Sequence, residues 1–275
     1  MKALFRIIRP ENVIITFLSV LTAAWLVTDS VLTPGILRAA LAAALVTAAA
    51  NIINDIFDLA IDRVNQPGRV LPSGAMSLPA ARLCYKIMNM VALALTIDRP
   101  DLFLIIAGSQ FILYFYSRSF KKTVLLGNII VAFVGGLAFI FGALAAGRIM
   151  AGVFPALFAG IFHFARELIK DLQDVEGDRQ YQAATFAVRF GSRKVLLMVD
   201  ALFMLLSGIL LLPFLLGIYN VYYIYMVVPG VIGVTVYTSW QLHKNTTVEN
   251  LSRMSILLKV DMLIGLVSII VGVKL

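Results

Sequence analysis

The sequence has 275 residues, of which 61% are hydrophobic and only 14% are charged, and its mean hydropathy is +0.94. Soluble globular proteins usually contain about 45–50% apolar and roughly 25% charged residues. The composition therefore excludes an ordinary soluble protein and indicates a polytopic membrane protein. We therefore attribute the formal net charge of +8 to basic loops at a membrane surface and not to a surface that binds nucleic acid.

The chain begins with a stretch that is first basic and then apolar, residues 1–17. No small-residue cleavage site follows it, and the apolar run continues, so we expect a retained first transmembrane helix instead of a signal peptide. The single cysteine, Cys84, excludes an internal disulfide framework and is expected to pack as a small hydrophobic side chain.

Apolar runs separated by charged or Pro/Gly-containing stretches predict nine transmembrane helices. They are expected over residues 12–28, 36–58, 78–97, 101–117, 123–146, 151–172, 194–217, 219–241 and 253–273. Without a low-complexity segment or flexible linker between them, these helices are expected to form one compact domain over residues 1–275. The predicted fold class is thus an all-α membrane protein.

The distribution of basic residues predicts the topology. With nine spans, one side holds the N-terminus and the loops after helices two, four, six and eight, and it collects all but four of the 23 Lys and Arg residues. The exceptions are Arg38, Arg99, Arg148 and Lys274. By the positive-inside rule the basic side is cytoplasmic. Its loops would hold anionic lipid head groups or an anionic substrate.

Two groups of polar residues share one spacing near the ends of helices two and six. The first acid set is Asn51, Asp55, Asp58 and Asp62, and the second acid set is Glu167, Asp171, Asp174 and Asp178. This spacing places each set on one helical face, provided that the helix continues through it. The repetition predicts two parallel halves built around the acid sets, although a short coincidence of spacing would also produce it.

The acid sets need positive partners, because like charges on one helix face repel and carboxylates near a membrane are costly to desolvate. One interpretation is a solvated helix end with salt bridges to basic neighbours. Those neighbours are Arg63, Arg69, Lys170 and Arg179. The interpretation that two matched sets favour is a site for Mg²⁺, which takes one or two carboxylates and completes its shell with water and substrate phosphates.

Basic residues lie in the same loops. Arg118, Lys121 and Lys122 follow helix four, Arg69 follows the first acid set, and Lys170 lies inside the second. Metal-holding carboxylates beside cations that bind phosphate describe a diphosphate site, because both stabilise the charge of a leaving diphosphate. At the mouth of a lipid-embedded bundle, this predicts a substrate with a polar head and an apolar tail, such as an allylic prenyl diphosphate.

The stretch 51–74, NIINDIFDLAIDRVNQPGRVLPSG, resembles the first signature of the UbiA superfamily of intramembrane prenyltransferases, and the stretch 171–178, DLQDVEGD, resembles the second. Both are most similar to members that attach the second geranylgeranyl chain in archaeal ether-lipid synthesis. The resemblance implies a bundle of nine helices around a central cavity, with the motif loops on the cytoplasmic side of the cell membrane. Val70 stands where such sequences commonly have proline, which should change loop stiffness more than chemistry.

The resemblance also implies two Mg²⁺ ions and assigns their ligands. Asn51, Asp55 and Asp58 would hold one ion and Asp171 and Asp174 the other, with Asp62 and Asp178 supporting or contributing. The catalytic residues are then expected to be Asp55, Asp58, Asp171, Asp174 and Tyr116, whose ring would steady a developing cation. Considered without the family, Tyr116 is an interfacial belt residue.

The substrate contacts implied by the resemblance begin with Lys121, which would bind the diphosphate. Arg69 and Lys170 are further candidates for phosphate binding, together with the loop residues Arg118 and Lys122. Asn12 lies in the stretch 9–12, RPEN, which matches a conserved-looking region of the family. It is expected either to face the cavity or to cap the first helix.

The reaction implied is Mg²⁺-dependent transfer of a geranylgeranyl group from geranylgeranyl diphosphate to the free hydroxyl of geranylgeranylglyceryl phosphate, by ionisation to an allylic carbocation. An aromatic prenyltransferase of the UbiA type, acting on a hydroxybenzoate, a naphthoate or a haem, stays open because it shares the ionisation chemistry. A cation transporter would also place acids in a helical bundle. The expected partners are the donor, a lipid or aromatic acceptor and membrane lipids.

Overall fold

The computed structural model describes residues 2–180 and 183–274, with backbone only at 64 and 65. Within this part of the chain all long elements are helices, which confirms the all-α prediction. The helices are α1 (Lys2–Ile7), α2 (Pro10–Trp25), α3 (Pro34–Phe57), α4 (Leu59–Asn65), α5 (Leu78–Ala94), α6 (Pro100–Arg118), α7 (Leu126–Ala145), α8 (Val153–Gln173), α9 (Val175–Gln180), α10 (Phe186–Leu215), α11 (Val221–Val227), α12 (Gly233–Lys244) and α13 (Val248–Lys274).

Every stretch predicted to be helical overlaps one of these helices, except 219–241, which covers both α11 and α12. In the described residues, seven segments are long and apolar enough to cross a membrane. They are Pro34–Phe57, Pro100–Arg118, Leu126–Ala145, Ile149–Gln173, Phe186–Leu215, Val221–Lys244 and Val248–Lys274. The helices α2 and α5 are shorter, with 16 and 17 residues. The count of nine spans and the central cavity stay predictions.

The start of α10 differs from the prediction at residue 194. The helix begins at Phe186, after Thr185, whose hydroxyl oxygen accepts a hydrogen bond from the Val188 N–H at 3.4 Å. A kink at Gly191, with φ 77° and ψ 170°, separates the first turns from the long apolar part. Glycine adopts this left-handed φ without the steric cost of a side chain. The apolar-run criterion missed residues 186–193 because Arg189, Gly191 and Arg193 interrupt the apolar run there.

The predicted helix 219–241 is also divided. A π-helical turn, Val228–Ile232, separates α11 from α12. The turn contains Pro229, which has no backbone N–H to donate to the preceding turn. The hydrogen-bond register therefore changes at this point, and the apolar periodicity does not reveal it.

The chain forms two compact units. The first comprises Met1–Lys121 and Phe141–Ile149, and the second comprises Lys122–Ile140 and Met150–Leu275. In the first unit α3 packs against α2, α5 and α6. Its buried face is rich in alanine, including Ala39, Ala40, Ala48 and Ala49, and such small side chains allow helices to approach closely. The prediction of one domain stays a prediction.

An apolar cluster in the first unit supports the loop that follows α4. Val70 and Leu71 are buried against Ile7 and Ile52, and Cys84 packs against the same cluster. The cysteine is therefore a packing residue, as predicted. Val70, which replaces the expected proline, attaches the loop to the core by its own side chain.

In the second unit α8 packs against α10 and α13, and α13 also packs against α11 and α12. The buried face of α13 carries an acid, Asp261, which is only 1% exposed. Neither of its carboxylate oxygens has a hydrogen-bond partner among the described residues. A buried polar group without a partner costs free energy, so this face is not optimised for stability alone.

Two buried threonines of α12 provide a matched test of this cost. The Thr235 hydroxyl donates to the Ile232 carbonyl oxygen at 2.9 Å, whereas the Thr238 hydroxyl has no partner in the described structure. Thr238→Val removes an unsatisfied group with almost no change in shape and should raise the free energy of unfolding by about 1 kcal/mol. Thr235→Val should not stabilise the protein. Thermal unfolding in detergent checks both, and a lower midpoint for Thr238→Val contradicts the prediction.

Candidate active site

The first acid set lies where α3 passes into α4. Asp58 joins the two helices with φ −85° and ψ −3°. Its N–H still donates to the Asn54 carbonyl oxygen at 2.9 Å, and the Asp62 N–H donates to the Asp58 carbonyl oxygen at 2.8 Å. The helical hydrogen bonding therefore continues through the junction. All four side chains of the set are buried, as one helical face predicts.

Asp55 is paired with an arginine from the N-terminal segment. Its carboxylate is only 6% exposed and forms an ion pair with the Arg9 guanidinium. Arg9 precedes α2 in a left-handed backbone conformation, φ 53° and ψ 75°. A non-glycine residue holds such a conformation only where its surroundings fix it. In this conformation the Arg9 side chain reaches the buried carboxylate of Asp55.

Asp58 is neutralised by the loop that follows α6. The Lys121 ammonium forms an ion pair with the Asp58 carboxylate and lies 3.4 Å from the Asn54 side-chain oxygen. The Asn54 amide in turn donates to Asp58 at 2.8 Å. The structure therefore brings the predicted diphosphate-binding lysine to the first acid set.

Asp62 is held by the predicted partner Arg69. One guanidinium nitrogen donates to both carboxylate oxygens, at 2.8 and 2.7 Å. Burial nevertheless raises the pKa of Asp62 above its ordinary value, because desolvation exceeds the lowering effect of Arg69. Burial acts to lower the pKa of Arg69, but the hydrogen bond and charge of Asp62 raise it overall. The carboxylate is thus incompletely compensated, and a further cation would stabilise it.

Asn51 connects the set to the N-terminal segment. Its amide donates to the Ile8 carbonyl oxygen at 2.7 Å, and its oxygen accepts from the Asn12 amide at 3.5 Å. The first residue before α2 is Arg9, and no side chain caps that helix. The alternative that Asn12 caps the first helix is therefore wrong, because its amide is directed to Asn51.

The second acid set lies where α8 passes into α9, and its partners differ. Glu167 is buried and accepts from the Lys170 ammonium at 2.8 and 2.9 Å, with an Arg166 nitrogen at 3.6 Å. Asp171 accepts a hydrogen bond from the neutral Asn128 amide at 2.7 Å. Lys170, predicted to bind phosphate, is therefore engaged with a carboxylate of its own helix.

The last acid of this set is connected to the start of α10. The Thr185 hydroxyl donates to Asp178 at 3.2 Å. The Ala183 N–H donates to the Asp178 carbonyl oxygen at 2.9 Å, and the Ala184 N–H donates to the Lys122 carbonyl oxygen at 2.8 Å. This short segment therefore joins the end of the acid set to the basic loop at residue 122.

The other predicted residues occupy different environments. Tyr116 is half-buried on α6, whereas Arg118, Lys122 and Asp174 are exposed. Of the basic residues expected to form salt bridges with the sets, Arg69 and Lys170 do so. Arg63 and Arg179 are exposed.

The two acid sets share local features that spacing alone did not predict. Asp174 has φ −95° and ψ 4°, almost the same conformation as Asp58. A non-glycine residue with positive φ precedes both α2 and α7, Arg9 at 53° and Leu125 at 61°. Three residues after each of these lies an asparagine whose amide donates to the acid set of its own unit. This agreement supports the predicted duplication.

Sequence reasoning missed three residues: Arg9, Asn54 and Asn128. Arg9 stands in the stretch RPEN, in which the resemblance points only to Asn12. Asn54 lies between two residues of the first acid set but outside their spacing. Asn128 is separated from Asp171 by 43 residues. The only sequence signal for it is its correspondence to Asn12 in the predicted duplication.

The donor groups fit Mg²⁺. Both sets offer carboxylate oxygens, and the first also offers amide oxygens, which are the ligands that hard divalent cations prefer. In residues 2–180 and 183–274, no three His, Cys, Asp or Glu side chains converge as a ready-made cage. Because Mg²⁺ usually takes only one or two carboxylates and completes its shell with water and phosphate, such a cage is not required.

Comparison with known families gives a direct result. The UbiA prenyltransferase family matches residues 15–263. The chain belongs to the UbiA prenyltransferase family. Among curated members, digeranylgeranylglyceryl phosphate synthase of Methanosphaera stadtmanae is 28% identical over 99% of both chains. The enzyme of the same name from Halobacterium salinarum is 36% identical over 86% of both chains.

Solved structures of the UbiA family agree with the fold. One described as digeranylgeranylglyceryl phosphate synthase in membranes has a TM-score of 0.79 and 29% identity, and the match covers 100% of this chain and 99% of that one. A UbiA homolog from Archaeoglobus fulgidus bound to GPP and Mg²⁺ has a TM-score of 0.71 at 19% identity, covering 97% and 99%. This UbiA member is thus a multi-pass helical membrane protein.

The arginine that sequence reasoning missed has a testable structural role. Arg9→Gln leaves the buried Asp55 carboxylate without its ion pair and should lower the free energy of unfolding by about 2 kcal/mol. The full cost of breaking a buried pair is not expected, because the Arg9 side chain is 29% exposed. Thermal unfolding in metal-free detergent checks this.

A second ion pair of the same unit is the matched control. Arg38 and Asp98 form a pair at 2.7 Å whose side chains are 46% and 49% exposed. Such surface pairs contribute little, so Arg38→Gln should unfold close to wild type. Added Mg²⁺ should restore part of the stability of Arg9→Gln, because an ion that binds only the folded state stabilises it. Equal stability of the two variants would contradict the role of Arg9.

Proposed function

We propose that this UbiA member is a digeranylgeranylglyceryl phosphate synthase. It would transfer a geranylgeranyl group from geranylgeranyl diphosphate to the free hydroxyl of geranylgeranylglyceryl phosphate. The main support is the similarity to enzymes of that name over nearly the whole chain. The observation that carries the chemistry is the first acid set, in which each buried carboxylate is adjacent to a cation able to bind phosphate.

The proposed metal ligands come from both acid sets. Asp55 and Asp58, with Asn51 and with Asp62 in support, would hold one Mg²⁺ ion. Asp171 and Asp174, with Asp178 in support, would hold the second. When bound, the ions would neutralise the diphosphate and stabilise it as a leaving group. Asp171, whose described partner is a neutral amide, could take a cation without first releasing a base.

The basic residues of the first unit would exchange partners during the reaction. Lys121 and Arg69 now neutralise Asp58 and Asp62. With a divalent cation bound to those carboxylates, the N–H groups of Lys121 and Arg69 would be able to donate to the diphosphate oxygens. Charge-assisted hydrogen bonds of this kind are among the stronger ones in proteins. They would oppose the negative charge that develops as the donor ionises.

The proposed reaction begins with cleavage of the allylic C–O bond, whose electron pair leaves with the diphosphate. The half-buried Tyr116 would present its ring to the allylic cation. The acceptor hydroxyl oxygen then forms a bond to the cationic carbon and gives up its proton. Asn12, Arg118, Lys122 and Lys170 are proposed as further substrate contacts, and the basic side of the protein is proposed to be cytoplasmic.

The proposed function is tested by an acceptor comparison. Purified protein in detergent receives geranylgeranyl diphosphate and Mg²⁺, with geranylgeranylglyceryl phosphate or 4-hydroxybenzoate in separate reactions. We expect a doubly prenylated glyceryl phosphate by mass spectrometry, and a chelator should abolish it. If only the aromatic acid gives a product, the proposed ionisation chemistry would stand, but the assignment of geranylgeranylglyceryl phosphate as the acceptor would be wrong. Failure of both acceptors, with intact substrates, would overturn the enzyme proposal.

The metal role of the second acid set predicts the effect of one isosteric change. Asp171→Asn keeps the shape but removes a charged ligand, and should reduce turnover at least about 100-fold, since one removed transition-state contact typically costs that much. Asp98→Asn, which neutralises an exposed acid outside both sets, should stay within about twofold. Turnover is measured on protein shown to be folded by thermal unfolding. Near-normal turnover of Asp171→Asn would exclude the metal role.

A further inference from the structure

A group of three basic residues and one exposed aromatic residue lies at the start of α10, and two of the basic side chains, those of Arg189 and Lys194, lie over the aromatic ring. We call it the basic patch, and it consists of Arg189, Phe190, Arg193 and Lys194. All four side chains are exposed, and three of the four carry a positive charge. None of them belongs to an acid set or to the substrate contacts proposed above.

The ring organises the patch. Phe190 packs on Phe186, which is buried, with ring centroids 4.7 Å apart. The Arg189 guanidinium lies 5.5 Å from the centroid of the Phe190 ring, and the Lys194 ammonium lies 5.1 Å from it. Cations at this distance are attracted by the face of an aromatic ring. The ring therefore holds two positive groups near one another although they repel.

The patch lacks a negative partner of its own. Among the described residues, no carboxylate lies within ion-pair distance of Arg189, Arg193 or Lys194. This contrasts with the first acid set, where every carboxylate has a base. The kink at Gly191 lies inside the patch and sets the direction of the first turn relative to the long helix. A compact group of uncompensated cations favours an anion as its ligand.

An apolar stripe continues from the patch along the same helix. Leu197 is 58% exposed, and Met204, Leu205 and Leu212 are exposed in the following turns. These positions recur at helical spacing and form one outward face of α10. The helix is one of the membrane-crossing segments, so this face is expected to contact lipid chains. The positive charge lies at one end of a lipid-facing surface.

We propose that the basic patch binds the head group of an anionic glycerophospholipid of the surrounding membrane. The phosphate would accept hydrogen bonds from Arg189, Arg193 and Lys194, and an acyl or isoprenoid chain would lie along the stripe that begins at Leu197. Phe190 stands among the charged residues in the sequence of α10, ahead of the apolar stripe, so its ring would lie beside the head group of the lipid. This proposal depends on the membrane location of α10 and not on the proposed catalytic function.

A free phosphate ion or an acidic protein would use the charge but not the stripe. The continuity of cations, exposed ring and apolar face along one membrane helix is what a lipid requires, because a lipid offers both an anionic head and apolar chains. Basic residues near an anionic membrane surface each favour association to a measurable extent. We therefore expect loss of the patch to weaken binding by about tenfold or more.

Native mass spectrometry of the full-length protein in detergent tests the proposal. The probes are phosphatidylglycerol and, as a neutral comparison, phosphatidylcholine. Wild type should bind phosphatidylglycerol more tightly than phosphatidylcholine, and the variant Arg189→Gln/Arg193→Gln/Lys194→Gln should lose that preference. Phe190→Leu keeps an apolar side chain but removes the ring, and should weaken the preference to a smaller extent.

The matched control neutralises three exposed basic residues elsewhere, Arg82→Gln/Lys86→Gln/Arg253→Gln, and should bind phosphatidylglycerol as wild type does. If the triple patch variant is not recovered folded, Lys194→Gln with Phe190→Leu makes the same test. Equal phosphatidylglycerol affinity in patch variant and wild type would overturn the proposal. The proposal would also be overturned if inorganic phosphate displaced the lipid completely, because the lipid chains would then contribute nothing to binding. Prenyl transfer by the patch variant in detergent should be unchanged, which separates this proposal from the catalytic one.

Discussion

The burial of carboxylates at the end of α3 is the constraint on which the first unit depends. Three aspartates of the first acid set are nearly inaccessible to solvent, and ionised carboxylates in such places are costly unless a cation compensates them. Each one recruits a base from a different segment: Arg9 before α2, Lys121 after α6 and Arg69 in the loop beyond α4. Arg9 does so from a left-handed backbone conformation, and Arg69 does so from a loop that Val70 and Leu71 attach to the core.

The same constraint bears on the proposed function. The bases stabilise the acids in the described structure, and under that proposal a divalent cation would replace them and leave them close to the phosphate oxygens. Stability and the proposed activity would therefore use one set of side chains. Asp62 shows the compromise most clearly, because its pKa is raised by burial even though Arg69 contacts both of its oxygens.

The second unit repeats the backbone plan with other partners. A bend at Asp174 matches the bend at Asp58, and a left-handed residue precedes α7 as it precedes α2. Where the first unit pairs Asp55 with an arginine, the second unit presents an asparagine amide to Asp171. The two units thus share this local geometry but differ in the charge of the partner. In the second unit, the three cations of the basic patch on α10 also lack a carboxylate partner among the described residues.

The sequence by itself determined the helical class, the approximate position of most long helices and the two acid sets, because hydrophobic periodicity and spacing along a helix are local properties. It also indicated Lys121 and Arg69. Only the tertiary structure decided that Arg9 neutralises Asp55 and that Asn128 contacts Asp171, because these partners are 46 and 43 residues apart. The early start of α10 and the π turn at Pro229 also escaped prediction. The start of α10 depends on the Thr185 cap and on a left-handed glycine in a stretch where arginines interrupt the apolar run. The π turn depends on a missing N–H, which leaves the apolar pattern unchanged.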